Sequence, residues 1–452
     1  MTINNIPEKT DVLHVAGYDA YDRTHESGNY IVFNALRNLN HDSHMVIHQG
    51  KSFKDDKTFI LDIRNKSPEQ IANELPNHKV LIMYGEDYTP EQIKAIYNKH
   101  KCNIIRVLMT HDFLSGGCAY PAAPDLVKVK YDPRHPDGTY SGNSWFLDGS
   151  IKLPKEMYLD PRNIACDGYI KNCGNCPQLN SNIENDKSRQ IFEAKKKYLS
   201  DLPIIVAGVS NFSLSIVKNS SLFKDKKTKL LPIPNDIPYC SSSKQELREQ
   251  YGFPTDLKII LWGTTQPHNL RKGLYLANEA LNHIWHRCTT EEKKNIAVLN
   301  VGPRPPIPLQ NTQRFNTIRT DYVQSRQGMA QIYKMSDIAL CTTISDAGPM
   351  MVSESMRNEC PVVAFDRSVA LDIITNGENG YIINGINTVE MADRALELLR
   401  SSNLEEISKK CPAGVEKHHN FDRITKKWDT VISELIQDYD LNIKKVIQSD
   451  IL

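Results

Sequence analysis

Residues 345–366 read SDAGPMMVSESMRNECPVVAFD, and GENGY follows at 377–381. A turn of small residues leads into an amphipathic stretch carrying Val352 and Met356, and the apolar run 361–365 closes it, so loop, helix and buried strand come in order. Asp346 and Glu354 stand eight positions apart across the turn. A loop that opens into a helix presents unpaired backbone N–H groups and the positive end of the helix dipole. Gly348, Pro349, Met350 and Met351 therefore form a candidate diphosphate cradle, with Asp346 on one side of the phosphate and Glu354 on the other. Acidic pairs at this spacing also arise on solvated helix faces. The apolar strand directly after the helix favours the ligand site.

The same rhythm of apolar runs and helical patterns extends outward in both directions. Strands are expected at 11–17, 43–48, 79–84, 104–109 and 204–208, with a helix at 31–39. After the turn-forming stretch 232–236 come strands at 258–262, 296–301 and 338–342 and helices at 273–287, 329–336, 391–399 and 423–438. Alternation of this kind predicts an α/β protein with two Rossmann-like, doubly wound domains facing across a cleft, where the C-terminal ends of both sets of strands take ligands. Residues 1–234 form the first domain and 235–415 the second. Residues 119–165, rich in Pro, Gly, Tyr and Asp, read as a long loop or lid inserted in the first.

A chain of 452 residues suits two or three domains. Lys+Arg 55 against Asp+Glu 54 gives no electrostatic case for nucleic acid as a partner. No segment has the apolar length of a membrane span and the start, MTINNIPEKTDVL, has no signal-peptide core, which points to the cytoplasm. The clusters Lys195-Lys196-Lys197 and 224–229 are either solvated faces or a peripheral contact with anionic lipid at the inner face of a membrane. Ten cysteines without a secretion signal argue against a disulfide framework. Cys118, Cys166, Cys173 and Cys176, the last two in a CGNC turn, are either a tetrahedral set for structural zinc or reduced thiols packed as small apolar groups.

At the end of the strand 104–109 stands THDFLSGGCAY, residues 110–120. His111 there either points into the cleft, where an imidazole can donate to a hydroxyl or steady developing charge, or braces the Gly116-Gly117 loop. Asp112 beside it and His25, Glu26 and Ser27 face the same cleft and would line an acceptor site, although helix capping explains Ser27 equally well. In the second domain Gly263 ends a strand and Arg271-Lys272-Gly273 begins a helix. Two cations opposite a phosphate cradle neutralise the charge that grows on a diphosphate leaving group, whereas alone they are a common solvated pair.

Together the Asp346–Glu354 block, the RKG at 271–273, and HDFLSGGC (111–118) with CGNCPQL (173–179) resemble retaining nucleotide-sugar glycosyltransferases of family 4, in the subgroup of bacterial exopolysaccharide and colanic-acid-type synthesis. The resemblance runs from Val12 to about Leu399. It implies the GT-B fold, with a C-terminal helix (within 416–452) returning to the first domain. It also implies a UDP- or GDP-sugar donor, a glycan or lipid-linked acceptor, and no cofactor for catalysis. On this resemblance Asp346 contacts the transferred sugar, Glu354 the ribose, and Lys272 with Arg271 the donor phosphates. Three departures stand out: Thr264 and Thr265 where many relatives carry arginine, Asp346 where glutamate is usual, and the insertion 119–165. A GT-B binding or chaperone subunit without transfer activity and a sugar-nucleotide epimerase on the same fold are the other readings.

Overall fold

The computed structural model describes residues 6–16, 28–37, 39–48, 57–85, 87–109, 112–115, 168–174, 187–234, 236–267, 270–303, 309, 314–323 and 325–449. Two parallel sheets organise them. The first holds β1 (Lys9–Ala16), β2 (Ser43–Ile47), β3 (Thr58–Ile60), β4 (Asn77–Met83), β5 (Asn103–Leu108), β6 (Ile204–Gly208) and β7 (Lys227–Leu230) in the order β3-β2-β1-β4-β5-β6-β7. The second holds β8 (Lys258–Gly263), β9 (Ile296–Val301), β10 (Asn316–Thr320), β11 (Ile338–Cys341), β12 (Val362–Phe365) and β13 (Gly380–Ile383) in the order β10-β9-β8-β11-β12-β13. In each sheet the order reverses beside the first strand, at β1/β4 and at β8/β11, which is the switch point where open sheets of this kind take ligands.

The central strands are buried on both faces because helices cover both, so they read as unbroken apolar runs. The longer helices are α1 (Gly28–Leu36), α2 (Pro68–Glu74), α3 (Pro90–His100), α4 (Ser188–Leu199), α5 (Asn211–Asn219), α6 (Lys244–Tyr251), α7 (Leu274–Arg287), α8 (Arg326–Met335), α9 (Met350–Arg357), α10 (Thr388–Arg400), α11 (Leu404–His419) and α12 (Phe421–Ser449), with short helical turns at Gly168–Lys171, Thr290–Asn295 and Ala370–Ile373. Helices α2 and α3 start identically. Ser67 and Thr89 each cap the third helical amide, Gln70 and Gln92 each reach back to the cap residue's amide, and proline stands at the first helical position. These two helices, and the edge strands β3, β7 and β10, were not anticipated above. The edge strands are short, and β7 (KTKL) and β10 (NTIRT) are polar because one side faces solvent.

Helix α12 packs on the first sheet. Ile424, Trp428, Val431, Ile432 and Leu435 form one stripe against Val12, Val80, Ile82, Ile105 and Val107. The Trp428 indole N–H donates to Pro232 O at 3.0 Å, Asn103 Nδ2 donates to Leu435 O at 2.8 Å, and Lys79 bridges Asp11 and Asp440 at 3.3 and 3.2 Å. Among the described residues no helix is long and apolar enough to cross a membrane.

The solvated or lipid-facing reading of Lys195 is overturned. Its side chain is buried under α4 and its ammonium donates to Phe113 O and Ser115 O at 3.2 and 2.9 Å, because these carbonyls leave the end of β5 directly beneath it. Lys227 and Lys229 of the second basic run lie on the edge strand β7.

Among the histidines buried in this framework, four are held far from their usual protonation range. Burial pulls His14 and, with its neighbour His100, His78 down to about 3; burial likewise takes His48 to about 4, and His419, with His418 beside it, to about 4. Each is neutral when folded and takes up a proton once unfolded below pH 6.5. The stability it contributes is therefore complete above pH 6.5 and is lost as the pH falls toward about 3 for His14 and His78 and about 4 for His48 and His419, at about 1.4 kcal/mol per pH unit for each group. The urea midpoint should drop steeply from pH 6.5 to 4.5 at constant ionic strength. His78→Asn, which keeps a donor for Pro76 O, should remove about one proton from the uptake on unfolding, measured by calorimetry in buffers of different ionisation enthalpy.

Candidate functional site

The second switch point brings the ends of β8 and β11 together. The chain leaves β8 at Gly263 and turns through a single 3₁₀ turn, Leu270–Lys272. Gly273 then adopts a left-handed conformation (φ 70°) as the cap of α7. A Cβ on Gly273 would stand 2.0 Å from Thr342 O, so only glycine fits. Thr342 reinforces the approach: its hydroxyl donates to Lys272 O at 3.2 Å and accepts from the Trp262 indole at 2.9 Å, while Ile344 N donates to Arg271 O at 2.8 Å. Arg271 and Lys272 thus do not begin a helix, as their sequence suggests. They occupy a turn bolted to the segment leaving β11, and α7 starts one residue later because Gly273 is left-handed.

That segment carries Asp346, whose Oδ2 accepts from Arg271 Nη1 and from Lys272 Nζ, both at 2.6 Å. Its Oδ1 accepts from Gly348 N at 3.2 Å. Burial alone would raise this carboxyl, but the charges of Lys272 and Arg271 overturn that and hold it well below the usual carboxylate range. Burial lowers the Lys272 ammonium, against the pull of Asp346. Two cations on one carboxylate leave an excess positive charge at the C-terminal edge of the sheet, a setting that suits a phosphate.

Helix α9 begins beside this cluster, with Pro349 as cap and no side-chain cap hydrogen bond. Its first amides have no partner within the helix. The Gly348 amide, read above as part of the cradle, is instead taken by Asp346, because the aspartate is just long enough to reach the amide two residues on. Met350 and Met351 pack partly into the cores on either side. The first half of the chain reaches the same loop. Gly348 faces Val209, whose Cγ2 would stand 3.2 Å from an added Cβ, and Ser210 Oγ donates to Ala347 O at 2.7 Å.

Glu354 lies on α9 with Oε2 accepting from Tyr333 OH at 2.9 Å and Oε1 3.8 Å from Arg326 Nη2. Arg326 also pairs with Asp236. Tyr333 and Arg326, both on α8, were missed above. The signal for Arg326 was Ser325, which caps Gly328 N and starts α8 three residues before the expected position. Ser210 and Thr342 carried no signal, since their partners are backbone carbonyls distant in sequence.

The structure thus brings Arg271, Lys272, Asp346 and Gly348 together beside the start of α9 at Pro349, Met350 and Met351, whereas Gly263 ends β8 and Glu354 stands further along α9 with Tyr333 and Arg326 as its partners. His111, His25, Glu26, Ser27, Cys118, Cys166, Cys176 and residues 119–165 lie outside the described residues. Asp112 opens the 3₁₀ turn Asp112–Leu114, with its side chain outside the description. Cys173 is buried.

Residues 257–401, which contain this cluster, match the family model described as "Glycosyl transferases group 1". A curated protein, N-acetyl-alpha-D-glucosaminyl L-malate synthase of Bacillus anthracis, is 19% identical over 202 residues, covering 44% of this chain and 51% of that one. The chain thus matches about half the length of this relative. Among solved structures, sucrose-phosphate synthase from Thermosynechococcus elongatus superimposes with a TM-score of 0.62 at 12% identity over 95% of this chain and 100% of that one. Anabaena HepE in complex with UDP and glucose gives 0.58 at 11% identity over 94% and 100%. A glycosyltransferase from Rickettsia africae gives 0.58 at 14% identity over 95% and 99%. The two parallel sheets have the GT-B architecture of these proteins.

Gly273→Ala should destabilise the protein by roughly 2–4 kcal/mol, combining the left-handed backbone cost with displacement of Thr342 O. Denaturant titration of the variant beside Gly252→Ala, also left-handed but with nothing near its Cβ, isolates the second contribution.

Proposed function

We propose that the protein is a retaining glycosyltransferase of the family 4 kind, moving a sugar from a UDP- or GDP-sugar to a glycan or lipid-linked acceptor at the cytoplasmic face of a membrane. The observation that carries this reading is the Arg271–Lys272–Asp346 cluster at the joined ends of β8 and β11. The match of residues 257–401 to group 1 glycosyl transferases and the fold shared with a protein solved with UDP and glucose support it.

In this mechanism the donor diphosphate lies against Arg271, Lys272 and the first turn of α9, which meet the charge that builds as the glycosidic bond breaks. Asp346 holds both cations in place and orients the transferred sugar. Glu354, positioned by Tyr333 and Arg326, receives the ribose hydroxyls, a diol that one carboxylate can accept. The acceptor hydroxyl attacks on the face the diphosphate leaves, and the departing phosphate oxygen takes its proton, so no enzyme nucleophile or cofactor is assigned. To His111 we assign the steadying of the transferring sugar, and to His25, Glu26, Ser27 and Asp112 the acceptor.

A thermal-shift panel of UDP-, GDP- and ADP-sugars should identify one nucleotide that raises the melting temperature. Transfer from that donor should proceed in EDTA with the anomeric configuration retained. Epimerised donor, or binding without transfer to any acceptor, would replace the proposal. Lys272→Ala and Glu354→Gln should each weaken donor binding by about 1.5–3 kcal/mol, the loss of one hydrogen bond to a charged group. Unchanged affinity of both variants by isothermal calorimetry would remove the donor assignment.

A further inference from the structure

Arg106 sits within β5, in the first sheet, and is 1% exposed. Its strand neighbours Ile104 and Leu108 pack on the side covered by α3 and α4, among Ile93, Ile96 and Leu199. Nε, Nη1 and Nη2 of Arg106 all lack a hydrogen-bond partner, and Arg106 forms no ion pair with any described residue. A guanidinium stays protonated throughout the physiological range. Burying such a charge without a counter-charge is among the most destabilising arrangements available to a fold. The Phe113 ring, 4.4 Å from Arg106 Cζ, compensates part of this through its negative face.

A second cation approaches the same ring. Lys195 Nζ lies 5.4 Å from its centroid. Arg106, Phe113 and Lys195 line one small cavity with Tyr88, Gly85 and Met83. The Tyr88 hydroxyl is fully buried and also lacks a partner, while its ring packs against His48 at 4.6 Å. Buried polar groups in folded proteins are almost always satisfied, so an unpaired guanidinium and an unpaired phenol aimed at one cavity call for an acceptor between them. As it stands the cavity is about the size of one water molecule, so a monatomic ion would enter with a small outward shift of the Phe113 and Tyr88 rings, and a sugar or a nucleotide would not enter.

We propose that this cavity is a binding site for a compact monovalent anion of halide size, held by Arg106 and Tyr88 with Lys195 as the second positive charge. It shares no residue with the Arg271–Lys272–Asp346 cluster. Its occupant would also bear on the 3₁₀ turn Asp112–Leu114, because Lys195 holds the carbonyls of Phe113 and Ser115.

The melting temperature of the full chain, followed as chloride replaces gluconate at fixed ionic strength, tests this. The expected result is a saturable rise with a midpoint in the millimolar range, absent in Arg106→Met, which keeps the unbranched apolar stem without the guanidinium. Should Arg106→Met fail to fold, Tyr88→Phe decides. It keeps the packing and should raise the chloride midpoint about tenfold, the loss of one hydrogen bond to a charged group. A wild-type response that is absent or rises only at molar salt overturns the site, and so does an identical response in either folded variant.

Discussion

One carboxylate oxygen holds two cations. Arg271 and Lys272 are adjacent in sequence and both reach Asp346 Oδ2 at 2.6 Å, in a place largely closed to water. Without Asp346 two like charges would stand side by side at a sheet edge, with little solvent to screen them. With it the turn after β8 and the loop after β11 become one unit. The rest of the site follows from that joint: Gly273 lets the turn lie against Thr342 O, Gly348 closes the loop back on Asp346, and α9 starts where the loop ends.

The joint also reaches the first sheet. Ser210 caps α5 and donates to Ala347 O, and Asn211 donates through N and Nδ2 to the two carboxylate oxygens of Asp372 at 3.1 and 3.0 Å. Residue 347 is next to the aspartate, so the start of α5 and the loop that carries Asp346 are tied through a single backbone carbonyl. A shift of α5 relative to the second sheet would be felt directly at the cluster.

Much of this was legible in the sequence, and the limits have physical causes. The block 345–366 was read correctly as loop, helix and strand because its apolar pattern switches period where the structure changes. Helices α2 and α3 were passed over although SPEQ at 67–70 and TPEQ at 89–92 spell the same cap. Edge strands such as KTKL resist pattern reading because half of their surface is wet. Lys195 looked solvated because a run of three lysines does not say which one turns inward. Gly273 looked like an ordinary first residue of a helix. Its left-handed backbone is imposed by a carbonyl at residue 342, a contact with no local trace.

Helix α12 bears on the order of events during synthesis. The face of β1, β4 and β5 that it covers is made of residues before 110, yet its cover is residues 421–449, and the whole second sheet is translated between β7 and that helix. At about 5–20 residues per second the ribosome needs roughly 10–40 s to cross that interval. Over that time Val12, Val80, Ile82, Ile105 and Val107 have Ile31, Val32 and Leu36 of α1 in their cluster but lack the cover of α12, so the nascent first sheet is a natural client for a holding chaperone. The native core of the half made first closes only after the second half has left the ribosome.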